Sequence, residues 1–92
     1  MMTNSYISKD FYLSAYLIAS GIDLQAYRKT HDGLTIFVFP NSIKLHQHVN
    51  NYFSAGAFVH PLKYGNAIRN LKGIIHKTNS EFIYENTMSE KQ

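Results

Sequence analysis

The sequence predicts an α+β domain whose elements run helix, β-hairpin, helix, short strand, helix, with a small antiparallel sheet backed by the helices. Three observations carry this. An Asp-Gly pair, Asp32-Gly33, stands between two runs rich in β-forming residues. Residues 45–53 and 62–77 place their apolar side chains at helical spacing. A third apolar stretch, residues 11–19, has capping residues before it and a glycine after it. A lone hairpin is marginal in water, so helices must cover the sheet, and a third strand or a symmetry mate can extend it.

The first helix is expected over residues 10–20, where Ser8 or Asp10 can accept a bond from the free amides of the first turn and Gly21 can take the left-handed turn that ends it. Phe11, Tyr12, Leu13, Ala15, Tyr16, Leu17, Ile18 and Ala19 point all round its axis. Such a helix is central or covered on two sides, cover by a second subunit included. Residues 22–30 and 34–39 then flank His31-Asp32-Gly33 as the strands of a hairpin. A tight turn there places Ala26, Arg28 and Thr30 on one face with Thr35, Phe37 and Phe39, and Tyr27, Lys29, Leu34, Ile36 and Val38 on the other. Both faces of the second strand are apolar, so it is sandwiched between layers or keeps one aromatic face for a partner.

Pro40 stops that strand, Asn41 or Ser42 can cap the next helix, and Leu45, Val49, Tyr52 and Phe53 share one sector of it up to residues 54–56. Residues 57–60 read as a brief extended segment or third strand, closed by Pro61. In the last helix, about residues 62–77, Tyr64, Ala67, Ile68, Leu71, Ile74 and Ile75 lie within an arc of roughly 120°. Arg69, Lys72 and His76 lie on the opposite arc.

Composition bounds the rest. With 92 residues, 45% of them hydrophobic and 14% aromatic, the chain has the apolar content of one folded domain and is too short for two cores. A domain of this size buries only about 60–65% of its unfolded surface, so a homodimer or higher oligomer is expected. Residues 1–78 form that domain and carry eight Lys and Arg against three Asp, a net +5. Residues 79–92 carry Lys91 against Glu81, Glu85 and Glu90, a net −2, and read as a polar, acidic, flexible tail. The chain has no Cys, and its first ten residues lack the apolar run of a signal peptide, which points to the cytoplasm. Its least polar stretch is far below the roughly 20 residues of a membrane span, so no membrane partner is expected.

Catalytic and metal signatures are not found in the sequence. His46 and His48, two residues apart on a helix, diverge by about 200° and cannot both ligate one ion. Ser14 and Ser20 lie on an apolar helix and Ser42 at a cap, none of them in a nucleophile elbow. A non-enzymatic module with no cofactor is therefore expected. Phe37 and Phe39 alternate on one strand, the usual mark of a core; a base-stacking platform and a dimer interface are the functional readings of the same pattern. The strongest electrostatic feature is the polar arc of the last helix, with Arg69, Lys72 and His76 at its centre, Lys63 and Lys77 at its ends and Asn66 and Asn70 beside it. A solvated helix face is the plain reading. A face that contacts nucleic-acid phosphates is the functional one, with Arg69, Lys72, Arg28, His76 and Lys63 as its residues. The alternative is a protein-interaction or structural homodimer with no affinity for nucleic acid.

Lys9-Asp10-Phe11-Tyr12-Leu13, Phe37-x-Phe39, Val49 with Tyr52-Phe53, and Ala67-x-Arg69-x-Leu71-Lys72 together resemble a family of short prokaryotic and viral proteins catalogued as a domain of unknown function. The likeness spans about residues 9–77. It implies a free-standing small domain, carried by mobile elements, and adds no catalytic residue. Arg69 and Lys72 match the family's basic pair, and the C-terminal segment lies outside the likeness.

Overall fold

The computed structural model describes the backbone of residues 5–91 and the side chains of residues 5–78. The elements are β1 (Ser5–Ser8), α1 (Phe11–Ala19), β2 (Ala26–Lys29), β3 (Thr35–Pro40), α2 (Ile43–Phe53) and α3 (Pro61–Lys91). The class is α+β, three helices and one three-stranded antiparallel sheet ordered β1-β3-β2. Both outer strands pair antiparallel with β3, so they run parallel to each other and α1 is the crossover between them. This is a split β-α-β unit closed by a hairpin strand.

The third strand is not the one the sequence suggested. Residues 57–60 join no ladder; Ala57 and Val59 lie half-buried against the core instead. β1 takes the place, pairing Tyr6 with Phe39 and Ser8 with Phe37. A buried hydroxyl pair fastens it to α1. The Ser14 hydroxyl donates to Ser8 Oγ at 2.8 Å and lies 2.8 Å from the Asp10 carbonyl, with both serines buried. These contacts let two polar side chains sit in the core without an unmet partner.

The hairpin exists where Asp32-Gly33 placed it, but its register corrects the expected faces. Thr30 N–H donates to the Leu34 carbonyl at 2.7 Å, Gly33 N–H donates to the Thr30 carbonyl at 3.0 Å, and Gly33 has φ +93°. That is a type I turn followed by a left-handed glycine, a three-residue loop. One residue more than a two-residue turn reverses the pairing parity. Tyr27 therefore faces Phe37 and Arg28 faces Ile36, so Arg28 shares its face with Ile36 and Val38, not with Phe37 and Phe39.

Phe37 and Phe39 are core residues, packed with Leu13, Leu17, Leu45 and Leu71. All three helices thus cover this inner face of the sheet. α1 packs against α3, α2 and β1, which explains its apolar residues all round: the chain itself supplies the two-sided cover. Asp10 caps α1 by accepting Leu13 N–H at 3.1 Å. At the other end Gly21, φ +97°, allows Gly21 N–H to reach the Ile18 carbonyl and Ile22 N–H the Leu17 carbonyl, each at 3.0 Å. This pair of bonds is a Schellman stop. Ser42 caps α2 through Leu45 N–H at 3.0 Å.

In α3 the expected apolar arc is present, with Ala67 and Leu71 deepest and Tyr64, Ile68, Ile74 and Ile75 half-buried against the core. His60 caps it, its Nδ1 accepting Leu62 N–H at 3.1 Å, and Pro61 opens the helix where its missing N–H costs nothing. The helix runs to Lys91, past the expected end at residue 77, because no Gly or Pro follows Gly73 to stop it. The expected flexibility of residues 79–92, and any docking of Phe82, Ile83 and Tyr84, lie outside the described side chains.

Candidate functional site

Lys63, Arg69, Lys72 and His76 all project from α3 and all are exposed. They do not form one cluster. At about 100° per residue, Lys63 and Lys72 stand about 180° apart, on opposite flanks of the polar arc, with Arg69 and His76 between them. Arg69 is tethered: its Nη2 donates to Asn66 Oδ1 at 3.0 Å, one helical turn back. This bond draws the guanidinium toward the Asn66 side of the arc.

That flank is concave. Lys63, Asn66 and Asn70, at i, i+3 and i+7, share one face, and together with Ala19, Ser20 and Gly21 at the end of α1 they line an open cleft of about 370 Å³. The Schellman stop makes the cleft, because it turns the chain away from α3 directly after Ala19. Across Gly21 stands Lys44 of α2, its Nζ 3.8 Å from where a Cβ on that glycine would lie. Asp23, the nearest acid in sequence, does not line the cleft. Among the described residues no carboxylate pairs with Lys44, Lys63, Arg69 or Lys72.

Arg28 is not brought to this site. It is exposed on the outer face of the sheet, while the helices occupy the inner one, so the sheet lies between Arg28 and the helical layer. The histidines also part, as helical spacing predicts for His46 and His48. His46 stands edge-on to Tyr6 and bonds Asn41, whereas His48 meets the Tyr16 ring and hydroxyl. Among the described residues no three His, Asp or Glu side chains come close enough to hold a metal ion.

Sequence reasoning missed two features. One is the cleft, which depends on Lys44 and the α1 turn meeting α3, elements with no shared sequence signal. The other is a grouping of Tyr12, Tyr52 and Tyr64 around Asp10. Burial pushes the Tyr52 and Tyr64 phenols above their ordinary range, and the Asp10 carboxylate adds to both shifts, with Tyr12 acting on Tyr64. These phenols stay protonated and neutral near pH 7.

The fold and the site together define a small α+β domain with a polar cleft between two helices and without an assembled catalytic constellation among its described residues. Residues 3–78 match the family model described as Domain of unknown function (DUF5659), and the chain belongs to that family. No curated protein and no solved structure matches the chain. Among the described residues no helix is long and apolar enough to cross a membrane.

Proposed function

We propose that this domain is a small non-enzymatic binding module that takes nucleic-acid phosphates on the polar face of α3. The supporting observation is that Lys63, Arg69 and Lys72 are exposed and free of carboxylate partners among the described residues, in a domain with a net charge of +5 over residues 1–78. Cations not neutralised by their own surface attract phosphates and release condensed counterions on binding. Duplex DNA would meet the exposed ridge of α3 that carries Arg69 and His76, with Lys72 on its flank.

The test is salt dependence. Replacing Arg69 and Lys72 together by Gln should weaken duplex binding and flatten the slope of log K against log salt by about 2, at about 0.9 per lost phosphate contact. Both side chains are exposed, so stability should move by no more than about 0.5 kcal/mol. A folded wild type that binds neither duplex nor single strands at low salt overturns the reading.

One observation favours a second reading, a homodimer joined through the outer sheet face. Ile7 and Leu34 are half exposed there, 50% and 48%, flanking the buried Ile36 and half-buried Val38, while the helices all lie on the other side. Apolar sheet faces left open in this way are common sites of association.

A further inference from the structure

The cleft between the end of α1 and α3 has a surplus of positive charge that the fold does not use. A helix C-terminus carries about half a negative charge, enough to favour a single nearby ammonium. Here that end of α1 is met by Lys63 at the cleft wall and by Lys44 beside Gly21, and the Arg69 guanidinium is bound to a cleft residue, Asn66. Lys63 on the cleft wall, with Lys44 and Arg69 at its margins, outweighs half a negative charge and leaves the site electropositive after the helix end is satisfied. Three of the four carbonyls at that end are moreover engaged: Ser20, Gly21 and Ile22 N–H groups already donate to Tyr16, Leu17 and Ile18. The cleft nonetheless offers several donors to an anion: the Lys63 ammonium, the Asn66 and Asn70 amide N–H groups and the Ser20 hydroxyl.

We infer that this cleft is the phosphate subsite of the α3 face, holding one phosphodiester of a single-stranded nucleic acid between Lys63 and Lys44. The inference rests on the nucleic-acid reading above and narrows it to a strand type and a location. A volume of about 370 Å³ is of the order of one nucleotide, at the small end of ligand sites. Its α1 wall, Ile18 and Ala19, is apolar and accepts a sugar or base edge, while the α3 wall supplies the polar contacts. A rigid duplex would ride on the raised Arg69 and Lys72. A flexible single strand can lower one unit below them.

The experiment titrates the full chain with a 12-nucleotide single strand while following backbone amide shifts, and repeats the titration with Lys63→Gln, with Asn70→Leu and with Lys72→Gln. The largest shifts should fall at Ser20, Gly21, Asn66 and Asn70. Lys63→Gln and Asn70→Leu should each weaken binding about 5–10-fold, with Lys63→Gln flattening the salt slope by about 0.7, and Lys72→Gln should change affinity less than about 2-fold. Binding that survives Lys63→Gln and Asn70→Leu but falls with Lys72→Gln overturns the cleft assignment and leaves the nucleic-acid reading in place. If no strand binds at low salt, that broader reading fails instead, and the strand assignment with it; titration with adenosine monophosphate then shows whether the cleft takes a free nucleotide in its place. Circular dichroism of each variant confirms that a loss of binding is not a loss of fold.

Discussion

The two faces of β3 are built from the same kind of residue but are covered to different extents. Phe37 and Phe39 lie on the inner face and are sealed among the helices, while on the outer face Ile36 is buried, Val38 is half-buried, and Ile7 and Leu34 beside them are half in water. Composition does not distinguish the faces. The difference is topological: α1 crosses over one side of the sheet, and α2 and α3 then pack on α1 and the same core, so every helix accumulates on that side. The helices therefore close the inner face as a whole, whereas on the outer face only Ile36 is fully buried and its neighbours stay partly in water.

The largest expected effect tests the inner face. Phe37→Ala and Phe39→Ala should each cost about 3–5 kcal/mol in denaturant unfolding, since each empties a ring-sized space in a closed core. A loss under about 1 kcal/mol would mean that the helices do not close over β3. The turn that sets the faces comes next. A Cβ on Gly33 meets nothing within 4 Å, so Gly33→Val should cost about 1–2 kcal/mol through its left-handed backbone alone. Gly33→Asn should regain most of that, because Asn tolerates such a φ; equal losses for the two would reject the three-residue loop. The smallest effect belongs to the outer face. Ile7→Thr and Leu34→Thr should each change monomer stability by about 0.5 kcal/mol or less. If that face joins two chains, the same pair of changes shifts the mass measured by light scattering from twice 10.6 kDa to 10.6 kDa.

Most of the helical architecture was legible because each helix carries its own punctuation. Asp10 and Ser42 cap as expected, Gly21 stops α1, and the apolar arc of α3 faces the core. The strands were less so. β1 has four residues, Ser-Tyr-Ile-Ser, too few to establish an alternation, and its partner lies some thirty residues away. Hairpin parity was misread because Asp-Gly fits both a two-residue turn and the last two places of a three-residue loop. Thr30 decides for the longer loop: its hydroxyl bonds both the Asp32 carboxylate and the backbone of Leu34. At the site, the sequence placed Arg69, Lys72, His76 and Lys63 on α3, where all four are exposed, but spacing along a helix cannot show which flank a neighbouring element makes concave.

The position of β1 has a consequence for how the chain assembles. Among the described residues its partner is β3, so residues 5–8 have nothing to pair with until residues 35–40, made later, exist. During synthesis the opening strand must wait while α1 and the hairpin form, and the sheet is completed by a long-range closure. Such non-local pairings are entropically costly until other contacts hold their ends close, and they slow folding. The Ser8–Ser14 hydroxyl bond offers a local tether during that interval, holding the end of β1 against the first turns of α1 before its true neighbour arrives.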